Sequence, residues 1–219
     1  DDTARVIVIA ADGPAFCSGH NLKEITAHRQ DADRGATYFT KLMTQCATLM
    51  QAIVHHPLPV IAEIQAVASA AGCQLVASCD LAVAAEPARF ATPGVNIGLF
   101  CSTPMVALSR NVSPKHAMEM LLTGDLIEAA EAQRIGLINR IVPSQLLRQN
   151  VDELAAKIAS KSKAVTKIGK EAFYRQLDMT LSDAYDYAAQ VMVENLLIRD
   201  AEEGIGAFVD KRPPEWQDR

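Results

Sequence analysis

Short apolar runs, each closed by turn residues, organise the first hundred positions of the chain. Val6 to Ala10 reads VIVIA, a β-branched run that predicts a strand buried on both faces, and Asp12-Gly13-Pro14 turns the chain after it. From Arg34 to His56, apolar residues recur at helical spacing (Phe39, Leu42, Met43, Cys46, Leu49, Met50, Ile53), and Pro57 marks the stop. Pro59 to Ile64 predicts another strand, and Gly72 to Ser78 a helix that opens in small residues. Leu81 to Ala85 and Arg89 to Ala91 read as strands on either side of Glu86-Pro87. Strands alternating with helices imply βαβ units and a largely parallel sheet.

Beyond Ser102 the pattern turns helical. Ser113-Pro114 supplies an N-cap and a proline at the first helical position for HAMEMLLTG, with Gly124 at the stop. Glu128 to Arg134 predicts a short helix ended by Gly136, and Ile138 to Val142 a last strand. Three amphipathic helices are expected from Ser144 onward, closed by Pro213-Pro214. Residues 1–143 are therefore read as an α/β core and residues 144–219 as a helical region whose apolar stripes pack on another subunit. Because a strand follows Asp1 almost at once, the chain is expected to begin inside a domain.

Composition narrows the function classes. With 49% hydrophobic and 21% charged residues among 219, the chain fits one large domain or a domain with a helical appendage. A formal net charge of −5 argues against nucleic-acid binding, and no apolar run is long enough to span a bilayer. Five cysteines stand without CxxC or Cys/His spacing, which fits reduced thiols and argues against a disulfide frame or a metal site.

Two stretches could carry chemistry. GPAFCSGHNL (Gly13 to Leu22) follows a strand, and Gly19 lets its backbone approach a ligand closely; the other reading is an ordinary strand-to-helix loop. No GxxxxGK[ST] or GxGxxG occurs. In ASAAGCQLVASC (Ala68 to Cys79), small residues sit at a helix N-terminus, whose unpaired N–H groups suit a developing negative charge. Close helix-to-strand packing through Ala70, Ala71 and Gly72 explains the same residues.

FCSGHNLKEI, then PVIAEIQAVASAAGCQLVASCDLAVAAEPARFATPGVNIGL, then MLLTGDLIEAAEAQRIGLINRIV, in this order and spacing, resemble the crotonase family, the enoyl-CoA hydratase/isomerase superfamily. The likeness runs from Val6 to AFVDKR near the C-terminus. AAGCQLVASCD and GVNIGLFCSTP are most similar to its branch of enoyl-CoA hydratase domain-containing proteins. The resemblance implies an α/β spiral of ββα units, the ClpP/crotonase-like fold, with a C-terminal helical trimerisation region and a homo-trimer or hexamer. It also implies an acyl-CoA thioester as substrate, with coenzyme A as part of that substrate, no tightly bound cofactor and no metal. The expected location is a bacterial cytoplasm or a mitochondrial matrix.

Carried over by position, the backbone amides of His20 and Ala71 would hold the thioester carbonyl while an enolate forms. The family usually has glycine at the Ala71 position. Ser18, Gly19, Asn21, Leu22, Lys23 and Gly72 would contact CoA, and Phe208 and Lys211 would reach the CoA of a neighbouring subunit, lysine suiting a phosphate. Gln74 and Gly94 stand where hydratases carry their two glutamates, so hydration through that acid–base pair is not available. The resemblance therefore implies an enolate-stabilising acyl-CoA protein of the lyase or isomerase class, such as a decarboxylase or an anion-assisted lyase, rather than a conventional hydratase. The alternative is a catalytically silent acyl-CoA binder or interaction protein. His20, Cys101 and Ser102 are the remaining candidates for side-chain chemistry, while Glu63, Asp80, Asp125 and Glu128 read as structural.

Overall fold

In the computed structural model, which describes residue 1 and residues 3–219, strands leave the chain in pairs. The first pair is β1 (Ile7–Ala10) and β2 (Ala15–Cys17), followed by α1 (Leu22–His28) and α2 (Ala36–Val54). The second is β3 (Val60–Ile64) and β4 (Val67–Ser69), followed by α3 (Ala71–Ser78); the third is β5 (Leu81–Ala85) and β6 (Arg89–Ala91). Each pair sends its first strand to one four-stranded sheet and its second to another, in the orders β1-β3-β5-β8 and β2-β4-β6-β7. A helix must intervene before the next pair because parallel strands cannot be joined by a tight turn. The result is the expected spiral of ββα units.

Past β6 the chain forms α4 (Pro104–Leu108), α5 (Pro114–Thr123), β7 (Ile127–Glu128), α6 (Ala129–Arg134) and β8 (Arg140–Val142). In the first sheet β3 runs parallel to β5 and β5 to β8, in the registers Ile61↔Leu81 and Val83↔Arg140; in the second, β7 is antiparallel to β6. All five residues of β3 are buried, as are four of the five in β5, so the two-sided strands of this sheet are its inner ones. β1 differs from expectation: its residues are half-buried or exposed, because it is the edge strand of its sheet. Ile61, Ile64, Val76, Val83, Phe90 and Leu108 form the fully covered centre of this layer.

The chain divides into two compact units. One holds residues 8–54 and 60–151; the other holds residues 1–7, 55–59 and 152–219, and the boundary falls inside α7 (Leu147–Ala159). The C-terminal stretch contains four helices, α7, α8 (Lys163–Gln176), α9 (Leu181–Leu196) and α10 (Arg199–Val209), where the sequence predicts three. The extra break lies at Leu197-Ile198, an apolar run with no glycine or proline to announce it.

In this helical unit, carboxylates of α10 tie down the end of the chain. Asp200, fully buried, accepts the N–H groups of Gln217 and Asp218 at 2.8 and 2.9 Å. Glu203 accepts from the Arg212 guanidinium at 2.6 and 3.0 Å and from Glu215 N–H at 2.9 Å, which together hold its carboxyl down at about 2. The folded pKa lies below the ordinary 4.5, so this stabilisation is complete above pH 4.5 and is lost as the pH falls toward 2. We expect thermal melts of Arg212→Leu to lie several degrees below the wild type at neutral pH and to converge on it in acid. Parallel curves at all pH values would contradict this assignment.

Candidate active site

Three neighbouring parallel strands deliver three loops to one end of their sheet. β2 pairs with β4 (Ala15↔Val67, Cys17↔Ala68), and β4 with β6 (Ala68↔Phe90, Ser69↔Ala91). Their carboxyl ends therefore release Ser18 to Asn21, Ala70 to Gly72, and Thr92 to Gly94 side by side. This is where open parallel sheets commonly bind ligands. His20, Ala71, Gln74 and Gly94, separated in sequence, belong to these three loops and the helix that follows the middle one.

The middle loop is strained in a way that aims a donor. Ala70 has φ 52° and ψ −117°, a left-handed conformation that costs a non-glycine residue about 1–3 kcal/mol. It is held there because its N–H donates to Ala91 O at 3.0 Å while its carbonyl accepts Gln74 N–H at 3.0 Å as the N-cap of α3. The N–H of Ala71 begins the helix, and among the described residues it has no acceptor, nor has that of His20.

Glycines bring these donors together. Gly19 has φ +93°, and a Cβ there would lie 3.0 Å from Ala70 Cβ and 3.4 Å from Ala71 N, so the donor loop runs directly against the start of α3. At Gly72 a Cβ would overlap the carbonyl oxygen of Cys17 and lie 2.8 Å from its Cβ. The first turn of α3 is thus laid on the end of β2 at a distance only glycine allows.

The polar side chains nearby are neutral. Gln74 is buried, and its Oε1 accepts from Cys46 Sγ of α2 at 3.7 Å. Gly94 is a closed position: its N–H donates to Cys101 Sγ at 3.3 Å, its carbonyl accepts Leu99 N–H at 2.9 Å, and a Cβ would stand 2.8 Å from Leu99 O. The turn over residues 94–101 occupies the space into which any side chain at position 94 would grow. His20 is half-buried with Nε2 enclosed and unpartnered, and burial lowers its pKa from 6.5, so the imidazole is neutral at pH 7. Burial raises the Cys46 thiol and pushes Cys73 up to about 12, so neither is a thiolate.

Carboxylates flanking the three loops in sequence are engaged elsewhere. Glu63 pairs with Arg148 at 3.2 Å, and Asp80 Oδ2 accepts Val60 N–H at 2.6 Å. Glu128 pairs with Arg89, while at Asp125 it is the backbone N–H and not the carboxylate that is bound, donating to the Thr123 hydroxyl. Cys101 is packed beneath Gly94, while the exposed Ser102 hydroxyl donates back to Phe100 O at 3.3 Å. No cluster of His, Cys, Asp and Glu that could hold a metal ion occurs among the described residues.

The remaining residues singled out in the sequence fall in two places. Ser18 is exposed; Asn21 caps α1 by accepting Lys23 N–H at 3.0 Å, and Leu22 and Lys23 are exposed in its first turn. Phe208 and Lys211 belong to the helical unit. Phe208 is 85% exposed, and Lys211 takes φ 55° to close α10, Arg212 N–H donating to Ala207 O at 3.0 Å. Sequence reasoning missed Cys46 as the partner of Gln74 and residues 99–101 as the cover of Gly94; neither contact leaves a local signal.

A two-sheet ββα spiral with a strained small-residue helix start beside a glycine-tightened loop defines a crotonase-like protein. The enoyl-CoA hydratase/isomerase family model matches residues 1–219, and the chain belongs to that family. It is 51% identical to the rat mitochondrial enoyl-CoA hydratase domain-containing protein 3 over 97% of this chain and 69% of that protein. The crystal structure of the human domain-containing protein 3 superposes with a TM-score of 0.91 at 50% identity, covering 97% of this chain and 82% of that one. An enoyl-CoA hydratase of Mycobacterium smegmatis does so at 0.93 with 47% identity, over 99% and 82%.

Two measurements check this geometry. Gly72→Ala should cost about 3 kcal/mol through forced displacement of β2, lowering the melting temperature by roughly 6–12 °C; an unchanged melt would mean that the contact is not made. NMR titration should place the His20 pKa below 6.5. The unfolded chain then takes that proton first, so His20 lowers stability as the pH falls through 6.5 and has no such effect above it. A His20 pKa above 6.5 would contradict the burial of its ring.

Proposed function

We propose that the chain binds an acyl-CoA thioester and holds its carbonyl oxygen between the N–H groups of His20 and Ala71, stabilising an enolate without a glutamate pair. The observation that carries this reading is the convergence of two acceptor-free N–H-bearing loops at the ends of adjacent parallel strands. Such preorganised donors act where charge develops, and losing one typically costs about 10²–10³ in rate. Membership of the family supports acyl-CoA as the ligand class. Ser18, Gly19, Asn21, Leu22, Lys23 and Gly72 are the proposed CoA contacts. Phe208 and Lys211 are proposed to serve the CoA of a neighbouring copy in a homo-trimer or hexamer. Relatives named as mitochondrial support a matrix location, a bacterial cytoplasm being the alternative.

Ordinary hydration is not part of the proposal. Adding water to an enoyl thioester needs a base for the water and an acid for the α-carbon, each worth about 10²–10⁴-fold. Gln74 carries no titratable proton at neutral pH, and Gly94 has no room for a carboxylate. Crotonyl-CoA hydration should therefore be close to background, and Gln74→Glu with Gly94→Glu should unfold or destabilise the protein instead of creating a hydratase. Hydration at ordinary hydratase rates, read by loss of the enoyl absorbance, would overturn this reading. A silent acyl-CoA binder is the second reading, favoured by the same lack of a proton carrier; it predicts binding with no turnover of any thioester.

A further inference from the structure

We propose that Tyr38 is a positioning residue for the His20 donor: through Glu24 and His28 it clamps α1, the helix that leaves the donor loop, onto α2. The inference rests on the thioester-holding reading above and concerns how one of its two donors is kept in line.

Packing of Gly19 against Ala70 and Ala71 fixes the donor loop on its entry side. On its exit side His20 runs straight into Asn21, the N-cap of α1, whose side chain accepts Lys23 N–H at 3.0 Å. A helix in a folded protein is normally held by a buried apolar face. This one has seven residues and buries none of them. Polar and ring contacts hold it instead. Asn21 Nδ2 donates to Glu24 Oε1 at 2.8 Å, and Glu24 Oε2 accepts the Tyr38 hydroxyl at 3.2 Å. One turn further along, the His28 ring is stacked on the Tyr38 ring, with centroids 3.6 Å apart and planes 15° apart. Glu24 and His28, four residues apart, share one face of α1. A single side chain of α2 meets both.

Tyr38 is itself anchored. It stands in the first turn of α2, which buries Cys46, Met50 and Ile53 further along. The loop between the helices is tied at each end: His28 Nδ1 lies 2.7 Å from Asp31 Oδ2, and Asp33 accepts the N–H groups of Gly35 and Thr37 at 2.9 Å each. Desolvation, and after it the bond to Glu24, raise the Tyr38 phenol above its ordinary 10.0, so it is a hydroxyl donor at neutral pH. Asn21, Glu24 and Tyr38 thus form an unbroken chain from the residue after the donor to a helix of the core. If α1 tilted, Asn21 would move with it and turn the His20 N–H out of line with a carbonyl shared with Ala71. A hydrogen bond weakens steeply with such misalignment.

The test follows the His20 amide in the intact protein, labelled with ¹⁵N at histidine alone, which leaves five signals to assign. Saturating acetyl-CoA should move the His20 N–H resonance downfield in the wild type. Tyr38→Phe removes the hydroxyl but keeps the ring over His28, and Glu24→Ala removes the acceptor shared by Asn21 and Tyr38. Each should weaken acetyl-CoA binding about 2–10-fold, the size of one net hydrogen bond, and should shrink the His20 shift at saturation. Glu24→Gln offers an oxygen to Asn21 and an N–H to the Tyr38 oxygen, and should restore both readings. Were Glu24 only a surface charge, its loss would tighten the binding of anionic CoA, the opposite sign. These atoms lie at the surface, so melting curves should stay close to the wild type. A full-sized shift at saturation in Glu24→Ala, or a Glu24→Gln protein no better than Glu24→Ala, overturns the inference and leaves the thioester reading standing. A wild type that binds no acetyl-CoA, or binds it without moving the His20 amide, overturns the reading itself.

Discussion

The contact between the first turn of α3 and the carboxyl end of β2 governs the arrangement of the site. A parallel ladder fixes where β2, β4 and β6 end, but it does not bring helix to loop. That is done by the missing side chain of Gly72 against the Cys17 carbonyl and of Gly19 against Ala70. Ala70 takes up the remaining misfit as backbone strain, sustained by its hydrogen bonds to Ala91 and Gln74 on either side. Donor placement is thus set by packing of the main chain, and this is why it coexists with unusual side chains at positions 74 and 94.

Those side chains convert the site electrically. A pair of carboxylates would make its interior negative and basic; here an amide, a covered glycine and a neutral imidazole leave it uncharged and rich in donors. The thiols add no charge, since Cys46 and Cys73 are held protonated by burial. A site of this kind can receive negative charge but is poorly equipped to generate it by removing a proton.

Much of the fold was legible because its buried strands are continuous apolar runs. β3, β5 and β6 fall where the sequence places them, as does α2 to within two residues at each end. β2, β4 and β7 have three residues or fewer and emerge only from their partners in the second sheet. The break between α9 and α10 hides in Leu197-Ile198, which carries neither glycine nor proline to mark it. At the site, resemblance marked positions 20, 71, 74 and 94 but could not tell an empty position from a covered one. Cys46 lies 28 residues from Gln74, and Leu99 and Cys101 fold back over Gly94; such contacts belong to tertiary structure alone.

The central claim, that two backbone donors polarise a bound thioester carbonyl, is tested most directly by infrared difference spectroscopy of acetyl-CoA carrying a ¹³C-labelled carbonyl. In the proposed complex, hydrogen bonds from His20 and Ala71 would withdraw electron density from the C=O bond and weaken it. The account predicts that the carbonyl stretch of the bound thioester moves to lower frequency than in water. A bound carbonyl that absorbs at or above its frequency in water would contradict it.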